Sequence, residues 1–319
     1  MNKFILPLKA FLKSNTALRD AVRKVSAIFW RNTRKRTMAY LKKHYRHIFE
    51  KYNNSADPAG VYDGEPVKNA RSKEDYGVWV CWLQGEENMP PIVKMCYHSL
   101  LKNANGHKIN LITFDNYRTF ADIPDYIVEK HSQNIIHNTQ LSDIIRVFLL
   151  SEYGGLWIDA THYVSGNLPS FGGLPFWTPK WNNSCKKVWD SVLYMESLLY
   201  CDYPNNILMC FLKDIFVDYW KNENKLIDYL LLSASIECAY KNIERIKNLI
   251  DAVPLEKRGY YDLYYRMNLQ YNESEYTSLC GEIRFHKLTY KEFFKKYTKD
   301  GGLTFYGRLW QEYERGSHV

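Results

Sequence analysis

The chain predicts a Rossmann-like α/β fold in which a mostly parallel sheet is flanked by helices and preceded by a basic helical extension. Three observations lead there: short apolar runs alternate with amphipathic helical stretches between residues 76 and 160, Gly and Pro mark the joints, and the charge changes sharply near residue 51. With 319 residues and 46% hydrophobic content, the sequence can bury one substantial core.

The elements follow in order. Over residues 3–29, Phe4, Leu8, Phe11, Leu12, Leu18, Val22, Val25 and Phe29 recur at mostly helical spacing, with Lys9, Lys13, Arg19, Arg23 and Lys24 between them. This reads as one or two basic amphipathic helices within an arm spanning residues 1–52. From Met1 to Lys51 there are 14 Lys and Arg against Asp20 and Glu50, a net +12; the whole chain is +8, so the remainder carries −4. Such an arm suits an anionic membrane surface, and it equally suits packing on the body or on a second subunit. Residues 53–75, rich in Asn, Asp, Gly, Pro and Ser and without periodicity, read as a linker or loop ahead of the main body at 76–319.

Within that body, residues 76–83 (YGVWVCWL) suit a buried first strand ended by Gln84-Gly85. A helix is expected from Pro90-Pro91 to about Ala104, a second strand over 108–114, and a short helix from Ile123 to Lys130 entered through Pro124. Next comes a helix over 141–151 with Leu141, Ile144, Ile145, Phe148 and Leu149 on one face, stopped by Gly154-Gly155, and a brief strand at Leu156-Trp157-Ile158. Beyond Pro169 the pattern is less regular. Helices are expected over 207–220 and 226–250, and the aromatics between Phe176 and Trp181 read as core or as sugar-stacking rings.

Several classes are excluded or disfavoured. An acidic body argues against nucleic-acid binding, because phosphate neutralisation needs a basic face, which leaves only the Arg31 to Arg46 charge run for that role. No run approaches the roughly 18–20 apolar residues of a membrane span. The seven cysteines are odd in number, scattered and never spaced as CxxC, which fits reduced thiols in a cytoplasmic setting.

The densest cluster of chemistry lies between Ser142 and His162. Asp143 and Arg146 are three apart and share the polar face of the expected helix, while Asp159 emerges at the carboxyl end of a strand, where open parallel sheets bind ligands. His162, just beyond, reads first as a packing residue. Asp228 is a carboxylate in an apolar stretch, suited to orienting a bound sugar or acceptor or to a helix surface.

The stretch LSDIIRVFLLSEYGGLWIDAT (141–161) resembles the signature of bacterial capsular polysaccharide synthesis glycosyltransferases. These are relatives of the retaining, DXD-containing sugar transferases that include yeast-type mannosyltransferases and the large clostridial glucosylating toxins. The similarity extends from VWVCWLQG (78–85), through Pro90-Pro91 and Cys96-x-x-Ser99, to Ile227-Asp-Tyr-Leu-Leu, and so covers most of the chain after residue 75.

The resemblance implies a GT-A fold, a nucleotide-sugar donor and retention of anomeric configuration. Trp82, Gln84 and Gly85 would hold the nucleotide base, Asp143 and Arg146 the donor sugar and its phosphate, and His286 would reach the diphosphate from a C-terminal segment. Asp159 fills the first position of the DXD motif, and a divalent cation, Mn or Mg, would be shared between it and the third position. Thr161 stands at that third position in place of an aspartate, and a neutral hydroxyl is a poorer cation ligand. The expected acceptor is a glycan or lipid-linked oligosaccharide, and the expected location is cytoplasmic, peripheral on the inner face of the cell membrane. The competing reading is a non-catalytic protein on the same fold that binds sugar nucleotide or a membrane surface.

Overall fold

The computed structural model describes residues 16–54, 76–171, 173–182, 192–257 and 259–316. The chain opens with α1 (Thr16–His44) and α2 (Arg46–Asn54), then β1 (Val78–Cys81), α3 (Pro91–Lys102), β2 (Ile109–Ile112), α4 (Tyr117–Phe120), α5 (Asp125–Ser132) and α6 (Asn138–Glu152). There follow β3 (Gly155–Ile158), β4 (His162–Val164), β5 (Phe176–Trp177), β6 (Lys180–Asn182), β7 (Val192–Tyr194) and β8 (Leu198–Cys201). The rest is α7 (Ile207–Asn222), α8 (Leu231–Asn242), α9 (Glu244–Asp251), α10 (Asp262–Arg266), α11 (Glu273–Glu282), β9 (Phe285–Lys287) and α12 (Phe305–Gly316).

The central sheet has the order β2-β1-β3-β8-β5. β1 pairs in parallel with both β2 and β3, while β8 runs antiparallel to β3 and to β5, so one strand of the five is reversed. This is the expected α/β architecture, with α6 lying against β1 and β3 and α7 packed on α6. The chain leaves β1 for β2 on one side and returns to β3 on the other. The carboxyl ends of β1 and β3 therefore flank a topological switch point, which is where open sheets of this kind form a ligand crevice.

The double glycine before β3 does more than stop a helix. Gly154 and Gly155 adopt φ of +65° and +91°, and a Cβ on Gly155 would lie 2.2 Å from the carbonyl oxygen of Gly77. That carbonyl accepts the Leu156 N–H at 2.9 Å, so the close approach is what joins β3 to the start of β1. Gly155→Ala combines an unfavourable φ with a backbone clash and is expected to cost about 3 kcal/mol or more, read as a fall in thermal midpoint.

Two expectations are revised by the structure. The stretch 226–250 is not one helix: Asp228 lies in a turn ahead of α8, and the chain breaks again at Ile243 before α9. Nor does the basic arm stand apart along its whole length. Leu41, Tyr45, Ile48, Phe49 and Tyr52 are buried in the same core as the sheet, α1 packs on α8, and α2 packs on α7. The first half of the arm, on which the membrane reading rests, has residues 1–15 and the side chains of 16–29 outside the described residues; of the expected linker at 53–75, residues 53 and 54 close α2 and 55–75 lie outside the described residues. No helix among the described residues is long and apolar enough to cross a membrane. Phe176 and Trp177 are core, with the Trp177 indole N–H donating to Glu256 Oε1 at 2.7 Å.

Candidate active site

A pocket of about 390 Å³ opens at the switch point. Its floor comes from the ends of β1 and β3 (Cys81, Trp157 and Asp159), one wall from α6 (Asn138, Ser142, Asp143 and Arg146), and the opposite wall from Lys287 and the segment Leu288–Lys291 that follows β9. β9 reaches the site because it pairs antiparallel with β4, placing Lys287 opposite His162, and the Leu288 N–H continues the ladder to the Thr161 carbonyl at 2.9 Å.

Asp159 is the centre of a charge cluster. Its Oδ1 accepts from Arg146 Nη2 and from the Trp157 indole N–H, both at 2.9 Å, and its Oδ2 accepts from Lys287 Nζ at 2.8 Å. Trp157 and Asp159 can meet because residues two apart in an extended chain point to the same face. Arg146 bridges further: Nη2 lies 3.2 Å from Asp143 Oδ1, Nη1 donates to the Glu196 carbonyl at 2.8 Å, and the guanidinium carbon stands 4.8 Å from the centroid of the Trp157 ring. Stacking on an indole while bridging two carboxylates and a carbonyl favours arginine over lysine.

The two carboxylates are driven apart. For Asp159, burial works to raise the pKa, but Lys287 and then Arg146 more than reverse it and hold the carboxyl well below the usual carboxylate range. For Asp143, burial is the main influence and lifts the pKa to about 7; Arg146 opposes the shift, and the charges on Asp159 and Glu196 add to it. An acid that is ionised throughout the neutral range thus stands beside one whose pKa is lifted to about 7, an arrangement typical of functional sites.

Most of the site residues read from sequence converge here. Trp82, Gln84, Asp143, Arg146, Asp159 and Thr161 all line the pocket. Gly85 adjoins it, turning the chain with φ of +84° just after β1. Trp82 faces Tyr290 edge-on across the mouth, ring centroids 5.4 Å apart, and Tyr229 is exposed at the rim.

Two predicted residues do not reach the pocket. Asp228 turns away from it: its carboxylate accepts from Thr37 Oγ1 at 3.2 Å and from the Leu230 N–H at 2.9 Å and lies 3.8 Å from Arg34 Nε, so it anchors α1 and caps the turn into α8. Its neighbour Tyr229 lines the pocket instead. His286 is fully buried on the other face of β9, hydrogen-bonded through Nε2 to Ser165 Oγ at 3.0 Å, and burial lowers its pKa to about 4. The residue delivered to the site is Lys287, one position on, and strand alternation is the reason. His162 is likewise a packing residue, 1% exposed and paired with Ser197 Oγ at 2.9 Å, its pKa pushed far down by burial.

The residues at the motif do not fit the divalent cation that the resemblance implied. Both oxygens of Asp159 are already engaged by cationic donors, and Thr161 offers only a neutral hydroxyl. Two like unit charges 4 Å apart repel by about 4 kcal/mol at the effective dielectric near a protein surface, and a divalent ion would meet both Lys287 and Arg146. Among the described residues, no three His, Cys, Asp or Glu side chains are grouped to hold a metal.

A family model described as capsular polysaccharide synthesis protein matches residues 21–309. The chain belongs to that family. The match includes α6, the double glycine, Asp159 and Lys287, so the whole charge cluster of this capsular-synthesis family member lies inside it. No curated protein matches the chain. Among solved structures, the PaToxG glycosyltransferase aligns at 13% identity with a TM-score of 0.38, covering 92% of this chain and 98% of its own. The apo-form glycosyltransferase GlyE of Streptococcus pneumoniae TIGR4 aligns at 13% identity and a TM-score of 0.38, covering 75% of this chain and 60% of its own. At that TM-score neither likeness carries weight for fold or activity.

Proposed function

We propose that this capsular-synthesis family member is a nucleotide-sugar-dependent hexosyltransferase with a GT-A type catalytic domain, working with retention on a surface glycan acceptor. The observation that supports it most is the cluster of Asp143, Arg146, Asp159 and Lys287 at the switch-point crevice, with Trp82 at its mouth. The pocket is the right kind of place for a ligand that is part planar ring, part polyol and part diphosphate. Trp82 and Tyr290 offer ring faces, Asp143 and the hydroxyl of Ser142 offer hydrogen bonds to sugar hydroxyls, and the cations meet the phosphates.

In the reaction, the bond between the anomeric carbon and the diphosphate oxygen breaks, and its electron pair leaves on that oxygen. The acceptor hydroxyl oxygen bonds to the anomeric carbon, and its proton leaves on the departing phosphate. The protein's part is to hold donor and acceptor in register and to stabilise the charge that develops on the leaving group. The acceptor is a glycan or lipid-linked oligosaccharide, and the leading part of the basic N-terminal arm, ahead of the stretch of α1 that packs on α8, would bring the site to an anionic membrane that carries it. Nucleotide release from a panel of UDP- and GDP-sugars tests this reading: turnover of one donor supports it, and no release from any donor, with no donor binding, would move the protein to a binding role.

Asp143 makes the transfer reaction pH-sensitive. Its carboxyl titrates at about 7, and the ionised form is the better acceptor for a sugar hydroxyl. The charged form is populated above that value, so kcat/KM should rise with pH through roughly 6 to 8, and Asp143→Asn should lower the plateau about tenfold and remove the rise. A wild-type profile that is flat over this range contradicts the role given to Asp143.

A further inference from the structure

We infer that Lys287 is the fixed cation of the site, binding the diphosphate of the donor in the place where the resemblance implied a metal ion, and that the protein binds nucleoside diphosphates without a divalent cation. The inference deepens the transferase reading and rests on it for the identity of the phosphate-bearing ligand.

The charge balance of the pocket points this way. Its lining carries Arg146, Lys287 and Lys291 against Asp143 and Asp159, a net of +1 with both acids ionised. That is a positively biased pocket before any ion enters, facing a ligand whose diphosphate carries negative charge. Asp159, which a metal-dependent site would leave free to coordinate, instead accepts from Lys287 at 2.8 Å and from Arg146 at 2.9 Å. Its role becomes that of a positioning residue: it holds the ammonium group of Lys287 at the crevice, with four-fifths of that side chain shielded from solvent.

The position of Lys287 is built rather than incidental. β9 pairs with β4 immediately after the Asp159 turn, the Lys287 N–H donates to the Tyr260 carbonyl at 2.6 Å, and the next residue is tied to Thr161. A flexible surface lysine has no such backbone fixing. As the diphosphate departs, the ammonium keeps its protons and donates a hydrogen bond to the phosphate oxygen that gains the electron pair; the acceptor's proton leaves on the diphosphate as described above.

The test is calorimetry of UDP and GDP with the full chain, in EDTA and in manganese chloride, for wild type, Lys287→Met and Lys287→Arg, with uridine and guanosine as phosphate-free controls. One nucleotide is expected to bind in EDTA with an affinity within about threefold of that in manganese, because the cation is already present. Lys287→Met should weaken binding by about tenfold or more in either buffer and leave nucleoside binding unchanged, and Lys287→Arg should restore most of the loss. Melting temperatures of the variants separate a lost contact from a lost fold, and the arginine variant keeps the test decisive if the methionine variant is unstable. Binding that appears only with manganese, or that is indifferent to Lys287→Met, overturns the inference and leaves the transferase reading standing. Absence of nucleotide binding in both buffers overturns both.

Discussion

Asp159→Asn is expected to lower nucleotide release from the preferred sugar donor by about 10²- to 10³-fold, with the fold retained. The substitution keeps the shape of the side chain but changes what it offers. In the native site one carboxylate accepts from Arg146, Trp157 and Lys287. An amide can still present its oxygen to Arg146 and Trp157, and its NH₂ then faces the Lys287 ammonium, donor against donor. Lys287 loses its anchor, and Arg146 loses the charge that fixes one end of its guanidinium. Acid sensitivity supplies a second signature. Because Asp159 is held well below the ordinary carboxylate range, it contributes stability that is present above a pKa of about 4 and is lost as pH falls below it. The wild type should therefore lose more of its thermal midpoint on acidification than the Asn variant does. Activity within a few-fold of wild type in Asp159→Asn would contradict the cluster's role.

Arg146→Lys should cost a comparable factor in kcat/KM, about 10²-fold, together with about 2–3 kcal/mol of stability. One guanidinium here contacts Asp143, Asp159 and the Glu196 carbonyl while lying over the Trp157 ring. A single ammonium on a shorter reach cannot span two carboxylates and a carbonyl from the same helical position. Its loss leaves Asp143 with less opposition to the burial that already raises its pKa, so the pH rise attributed to that residue should move to higher pH. The measurements are a steady-state pH profile and a thermal melt on the same preparation. A variant with wild-type kinetics and an unmoved profile would show that the arginine is only a structural brace.

Much of this was legible in the sequence because the signals were local. Alternating apolar runs placed β1, β2 and β3, and proline at a helix start and the 3.6-residue periodicity placed α3 and α6, since each depends on neighbours within a turn or two. The Asp143, Arg146 and Asp159 constellation was readable for the same reason: one helix, one glycine turn and one short strand carry it.

What failed to show in the sequence depends on long-range register. Lys287 enters the site only because β9 pairs with β4 across more than a hundred residues, and a pairing shifted by one residue would have delivered His286 instead. The signal available was the alternation in Phe285-His286-Lys287, which fixes that His and Lys point to opposite faces but not which face is the pocket. Asp228 read equally as a sugar ligand and as a surface acid, and is neither, because its partners Thr37 and Arg34 lie nearly two hundred residues away. The basic amphipathic arm had the same ambiguity. A helix with an apolar stripe and a charged face reads alike whether it meets lipid or protein, and its second half meets the body through Leu41 and, in α2, Phe49.

The most direct test of the account is a crystal structure of the full chain grown with the nucleoside diphosphate that calorimetry selects. The nucleotide is expected in the switch-point crevice, its diphosphate within hydrogen-bond distance of Lys287 Nζ and its base beside Trp82. A nucleotide bound elsewhere on the protein, or an empty crevice in crystals grown at saturating nucleotide, would contradict it.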